Sequence, residues 1–154
     1  MGEAGAVKEL GHIVLYVRNL ERSVAFYRHV LGWRQIEAPS GAEVMPIALF
    51  SGGRTHHELL LIEVGDDATP IPSGRRVGMY HFGLKVGDTD DELRAARDRL
   101  EAAAVPLLGA SDHGVTHSLY LADPDGNEIE LYIDVAGVDW DFTVIASRPQ
   151  PLSL

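Results

Sequence analysis

Gly11-His12-Ile13-Val14-Leu15-Tyr16-Val17 and Tyr80-His81-Phe82-Gly83-Leu84-Lys85-Val86 are two short apolar runs, each with a histidine in second place. Both read as β-strands, because runs of this length rich in β-branched and aromatic residues and bounded by turn formers fit a pleated, half-buried surface. The segments after the two runs are also alike: a helical pattern, then three further strand candidates. Periodicity of this kind is the mark of a repeated supersecondary unit, and it sets the fold class as α+β, two βαβββ modules.

Working outward, the first helix shows Leu20, Val24, Tyr27 and Leu31 at helical spacing, with Asn19 as its N-cap candidate and Gly32 as its stop. The second shows Leu93, Ala96, Leu100 and Ala104. Asp88 is its N-cap candidate, Asp90, Asp91 and Glu92 suit the positive end of its dipole, and Pro106 is expected to end it. The later strands are expected at 34–37, 44–50 and 56–64 in the first module, and at 107–110, 118–122 and 128–133 in the second. Asp123-Pro124-Asp125-Gly126 reads as a tight turn between the last two. The organisation expected is a single domain over 1–154. Module one covers about 8–66 and a Pro-, Gly- and Asp-rich linker 67–78. Module two covers about 79–135 and a tail 136–154. In the tail, Trp140, Phe142, Val144 and Ile145 are expected to pack in part, and Pro149 and Pro151 to leave the last residues loose. Phe26, Tyr27 and Trp33 are read as core. Two such modules are expected to curve their sheets into a mixed sheet around a metal-binding cup.

Composition narrows the function classes. The 154 residues carry 23 acidic and 13 basic side chains, a net charge of −10. That excess argues against a nucleic-acid partner, which needs a basic face. No run approaches the roughly 20 apolar residues of a membrane span, so no membrane partner is expected. There is no cysteine, hence no disulfide and no thiol chemistry. With no secretory pattern at the N-terminus, the cytoplasm is the expected compartment.

The last strand candidate carries the chemistry. Alternation places Glu130 and Tyr132 on one face and Ile129, Leu131 and Ile133 on the other. The apolar set suits the helices, so Glu130 points away from them. A carboxylate on a central strand must be paired or bound to a cation, and His12 and His81 are its most economical partners. Two imidazoles and a carboxylate form the set that holds a divalent metal on one face and leaves other positions open.

These residues resemble those of the vicinal-oxygen-chelate superfamily (glyoxalase, bleomycin resistance and dioxygenase proteins), over about Lys8 to Asp134. Within it the chain looks most like the small one-domain type I extradiol catechol dioxygenases. The resemblance implies that His12, His81 and Glu130 hold the metal. Asp123-Pro124-Asp125-Gly126-Asn127-Glu128-Ile129-Glu130 matches the family's hairpin and terminal glutamate. Arg54-Thr55-His56-His57-Glu58-Leu59 resembles the segment of its acid–base histidine, which maps to His57. Asp112-His113-Gly114-Val115-Thr116-His117 resembles a segment with a further active-site histidine, which maps to His113, and Tyr120 matches a substrate-binding tyrosine. The implied reaction is extradiol cleavage of a catecholic substrate with O2. Iron(II) is the expected ion and manganese(II) the alternative. A homodimer or higher homo-oligomer is expected to cover the open pocket of so small a member.

Two rivals stay open. Glu58-Leu59-Leu60-Leu61 resembles Glu130-Leu131-Tyr132-Ile133, so Glu58 could be a fourth ligand, as in a glyoxalase I-type lyase. On a regular strand His57 and Glu58 cannot both face a metal, and a β-bulge near Gly52-Gly53 would shift that register. The other rival is a metal-free drug- or metabolite-binding protein on the same scaffold. His117 is read as structural or as a support behind the site residues, outside the main set.

Overall fold

A computed structural model describes residues 4–154. The chain divides into two compact units, with the boundary between Ala68 and Thr69. Each contains an open mixed sheet, and the two sheets repeat one topology.

In the first unit β1 (Ile13–Val17) lies parallel to β4 (Leu59–Glu63). β3 (Ile47–Phe50) and β2 (Gln35–Ile36) complete the order β1-β4-β3-β2. The second unit has β5 (His81–Gly87) parallel to β8 (Glu128–Asp134). β7 (Thr116–Ala122) and β6 (Gly109–Asp112) follow in the same order, and a short β9 (Gln150–Pro151) is added at the edge. A parallel pair needs a crossover, and in each unit a helix supplies it.

The helices cover one face of each sheet, and the alternation along the strands reflects that. On β8, Ile129, Leu131 and Ile133 are buried while Glu128, Glu130 and Tyr132 are not. They pack with Phe82, Leu119 and Leu121 from neighbouring strands and Leu93 and Leu100 from α2 (Asp90–Ala102), all buried. In the first unit Leu15, Val17, Leu59, Leu61 and Phe50 form the equivalent layer with Phe26 and Tyr27. Burying one such side chain contributes roughly 1.5–3 kcal/mol, so these two layers define which face of each sheet is left open.

The first helix begins as expected: α1 (Leu20–Ala25) is capped by Asn19, whose side chain accepts from the Arg22 N–H at 2.8 Å. It then widens into a π-helical turn at Phe26–Val30, which the helical spacing alone does not announce. Leu31 N–H reaches back five residues to Phe26 O. The wider turn lets the adjacent Phe26 and Tyr27 both enter the core, with their rings edge-on at 5.2 Å. Gly32, at φ 72°, ends it, a backbone conformation open to glycine at little cost.

Several expectations need correction. The N-cap of α2 is Thr89, not Asp88. Thr89 accepts from Glu92 N–H, and Glu92 folds back onto the N–H groups of Asp88 and Thr89. This capping box chooses Thr89 because Glu92 lies three residues after it. Gly87 makes it fit, since a Cβ there would collide with the Glu92 side chain. The helix ends at Ala102, before Pro106 can act, through Ala104 at φ 55°, with Val105 N–H bonded to Leu100 O. The strand expected at 44–50 starts only at Ile47, just past Pro46, which has no N–H to give a ladder. That expected at 56–64 starts at Leu59, and the one expected at 107–110 lies at Gly109–Asp112. Gly52 and Gly53 sit in the β3–β4 turn and form no bulge; the register shift falls between Lys85 and Gly87. The tail's end is not loose. β9 pairs with β6, Gln150 opposite Asp112 and Pro151 opposite Ser111, as an edge strand tolerates. The tail packs only in part, as expected: around α3 (Phe142–Ile145), Val144 is half-buried beside Gly114, while Trp140, Phe142 and Ile145 are exposed.

Candidate metal and substrate site

The open face of the second sheet gathers four of the six residues singled out in the sequence. His81 stands opposite Glu128 in the parallel register, and Gly83 stands opposite Glu130. Tyr120 on β7 is opposite Glu130 on its other side. The turn before β8 aims this strand. Asp123 is buried and its carboxylate accepts from Asp125 N–H, Asn127 N–H and Asn127 Nδ2 at 2.8–2.9 Å. The Asp-Pro-Asp-Gly turn is thus built around a satisfied buried carboxylate, which fixes where β8 starts and which side chains face out.

Glu130 is the hub. Its Oε2 lies 3.2 Å from His81 Nε2, and its Oε1 accepts the Tyr120 hydroxyl at 3.2 Å. Tyr120 Oη lies 2.6 Å from His113 Nε2. A phenol has one proton, so if it goes to Glu130 the His113 ring must be the donor in that contact, which assigns His113 its Nε2–H form. Burial, then the charge and hydrogen bond of Glu130, push the Tyr120 hydroxyl well above the usual tyrosine range. Gly83 leaves Glu130 uncrowded on the β5 side; a Cβ there would approach Tyr132 at 3.2 Å and Glu130 Oε2 at 3.6 Å.

His12 and His57 belong to the first unit. His12 sits immediately before β1, and its ring is 4.7 Å from that of His57. His56 and His57 meet through their Nδ1 atoms at 2.7 Å, so one of the two must donate. Burial, with the neighbouring His56 and His12, lowers the His57 pKa from its ordinary value, against an opposing pull from Glu58. His57 and Glu58 both lie in the β3–β4 turn rather than on a regular strand. The Glu58 carboxylate is engaged inside that turn: it accepts Gly52 N–H at 2.7 Å and Thr55 N–H at 3.0 Å. Burial acts to raise its pKa, but the hydrogen bonds from Gly52, Ser51 and Thr55 outweigh it and hold the group below the usual carboxylate range.

His117 is structural, as expected. It projects to the helix side of the sheet and bonds Asp90 in the first turn of α2, Nδ1 to Oδ1, at 2.6 Å. Among the described residues, no group of three or more His, Cys, Asp or Glu side chains forms a metal-holding cluster by itself. The His81–Glu130 pair nevertheless fits a metal. Two donors about 2.1 Å from one ion and at right angles are about 3 Å apart, close to the separation this pair already has. His81 Nδ1 is buried with no hydrogen-bond partner among the described residues, so Nε2 is the ring atom turned toward Glu130.

Sequence reasoning missed Glu128 and Tyr80 beside His81. Tyr80 lies beside Glu128, whose negative charge, aided by burial, raises the tyrosine's pKa. The signal was present in the parallel register, which needs the partner strand to be read.

Catechol-2,3-dioxygenase of Bacillus subtilis (strain 168) is 34% identical over 131 residues, 85% of this chain and 43% of that protein. Biphenyl-2,3-diol 1,2-dioxygenase 3 of Rhodococcus globerulus is 32% identical over 81% of this chain and 63% of its own length. The chain thus spans about half the length of these relatives. Lactoylglutathione lyase of Neisseria meningitidis serogroup A is 29% identical over 83% of this chain and 92% of that protein. The fold is shared with the crystal structure of a glyoxylase/bleomycin resistance protein/dioxygenase domain from Frankia sp. EAN1pec, with a TM-score of 0.68 and 21% identity. That match covers 86% of this chain and 96% of the other. Residues 9–131 match the family described as the Glyoxalase/Bleomycin resistance protein/Dioxygenase superfamily, and the chain belongs to it.

Proposed function

We propose that this chain forms the metal-bearing part of an extradiol dioxygenase that opens a catecholic ring with O2. The metal ligands in this reading are His12, His81 and Glu130, holding iron(II), with manganese(II) as the alternative. The observation that carries it is the His81–Glu130 pair, ligand-spaced at 3.2 Å and continued through Tyr120 to His113. His12 joins the set on the strength of the sequence resemblance. Catechol-2,3-dioxygenase and biphenyl-diol dioxygenase relatives at about this identity support the same class.

When bound, the metal supplies Lewis acidity toward two adjacent catechol oxygens and a meeting point for dioxygen. The protein's own groups do the rest. His57, with its lowered pKa, is available as a neutral base at neutral pH and takes a catechol proton. Tyr120, held protonated, gives its one proton to Glu130 in the resting site and turns it to a substrate oxygen when Glu130 is engaged by the ion. His113, as the Nε2–H donor to the Tyr120 oxygen, orients that hydroxyl at the same edge. A homodimer or higher homo-oligomer is part of the proposal.

The lyase alternative needs Glu58 as a ligand, and the Glu58 carboxylate is occupied by Gly52 and Thr55. The test is anaerobic reconstitution with iron(II), followed by an oxygen-electrode screen of catechols. Oxygen uptake with a yellow ring-opened product is the expected result. Turnover of a glutathione hemithioacetal without oxygen uptake would replace this reading with the lyase, and failure to retain any divalent metal would favour a metal-free binder.

A further inference from the structure

We propose that Glu128 is a positioning residue that holds the His81 ring by accepting a hydrogen bond from its Nδ1–H, leaving Nε2 free to bind the metal. The inference rests on the reading of His81 as a ligand. A histidine that binds through Nε2 carries its proton on Nδ1, and that N–H needs an acceptor. Here Nδ1 is buried and has no hydrogen-bond partner among the described residues. A buried donor left unmatched is costly, so a carboxylate close to it matters.

That carboxylate belongs to Glu128. The parallel pairing of β5 and β8 sets the two residues directly opposite each other, and Glu128 Oε1 stands 3.8 Å from His81 Nδ1. The gap is about 1 Å longer than a hydrogen bond. Glu128 is only partly buried, with 24% of its side chain exposed, and its three side-chain torsions can close that distance. Tyr80, next in the chain to His81, lies beside the same carboxylate. The Tyr80 and His81 ring centroids are 4.7 Å apart with the planes tilted by 58°, so the two rings are in contact beside Glu128. Glu130 serves the ion directly, while Glu128, on the same strand face and one pleat back, serves the ligand.

The experiment uses the full chain, with cobalt(II) titrated anaerobically to obtain a dissociation constant. Zinc(II) is used as a diamagnetic probe for the His81 Nδ1–H resonance in 15N-labelled protein. The variants are Glu128→Ala, Glu128→Leu, Glu128→Gln and His81→Ala. Glu128→Ala is expected to weaken cobalt(II) binding about 10- to 100-fold and to lose the downfield, slowly exchanging Nδ1–H signal. Glu128→Leu keeps most of the bulk without an acceptor and should behave as the Ala variant does. Glu128→Gln, whose amide oxygen still accepts, should restore both readouts, which a merely structural role would not require. Cobalt(II) affinity within about twofold of the parent in the Ala and Leu variants, with the Nδ1–H signal unmoved, overturns the assignment of Glu128 alone. Unchanged cobalt(II) binding in His81→Ala removes His81 as a ligand and takes both readings down together.

Discussion

At the residue scale the second unit's site is a chain of three contacts, His113–Tyr120–Glu130–His81, and each link has a distinct consequence. Tyr120→Phe removes a donor to a charged carboxylate, an interaction of about 1.5–3 kcal/mol. We expect metal content to survive and kcat/KM for catechol to fall about 10- to 100-fold, measured by steady-state oxygen uptake. The same hydroxyl should resist ionisation. Its pKa is raised by burial and by Glu130, so the stability tied to it is intact below the ordinary tyrosine pKa of about 10. That stability is lost as pH rises toward the higher folded value. Ultraviolet titration at about pH 11 should show fewer tyrosinates in the folded parent than in the unfolded chain, and Tyr120→Phe should narrow that difference. His57→Ala should leave the metal in place and lower turnover about 10²- to 10⁴-fold. Loss of the metal instead would show that His57 does not have the acid–base role.

At the element scale α2 illustrates how a helix is begun and ended by particular side chains. Glu92 is held below the usual carboxylate range by hydrogen bonds from Asp88 N–H and the Thr89 side chain. Its contribution is therefore present above the unfolded carboxylate pKa and disappears as pH falls through the lower folded value. Glu92→Gln should flatten the acid side of the stability–pH curve, measured by thermal melts from neutral to acid pH. At the other end Ala104 holds a left-handed conformation that costs an L-residue roughly 1–2 kcal/mol. Ala104→Gly relieves this, less the entropy a glycine gains when unfolded. The net expectation is a gain of about 0.5–1 kcal/mol, read from the urea midpoint. Both ends of α2 were half-legible in sequence. The acidic first turn and apolar spacing announced the helix, but Asp88 and Thr89 are both competent caps. Only the reach of Glu92 over Gly87 separates them.

At the scale of the whole molecule, each unit buries its own apolar layer beneath one sheet. No helix among the described residues is long and apolar enough to cross a membrane. A metal that binds the folded chain alone must stabilise it by mass action, by about 2.7 kcal/mol at a hundredfold excess over its dissociation constant. For a chain of this size that raises the melting temperature by about 5–10 °C. Anaerobic thermal shift with and without iron(II) checks this, and an unchanged midpoint would count against a folded-state metal site.

The repeat, the turn at Asp123 and the side of β8 on which Glu130 stands could be read from the chain itself, because strand alternation and turn chemistry are local properties. The π-helical turn at Phe26–Val30, the pairing of the tail with β6 and the placement of Glu128 beside His81 were decided by tertiary structure. Each depends on partners far apart in the chain. A residue's neighbours along one strand come from a period of two, but its neighbour across a parallel pair comes from the register between strands. That register is set only when both apolar faces pack on the same helix.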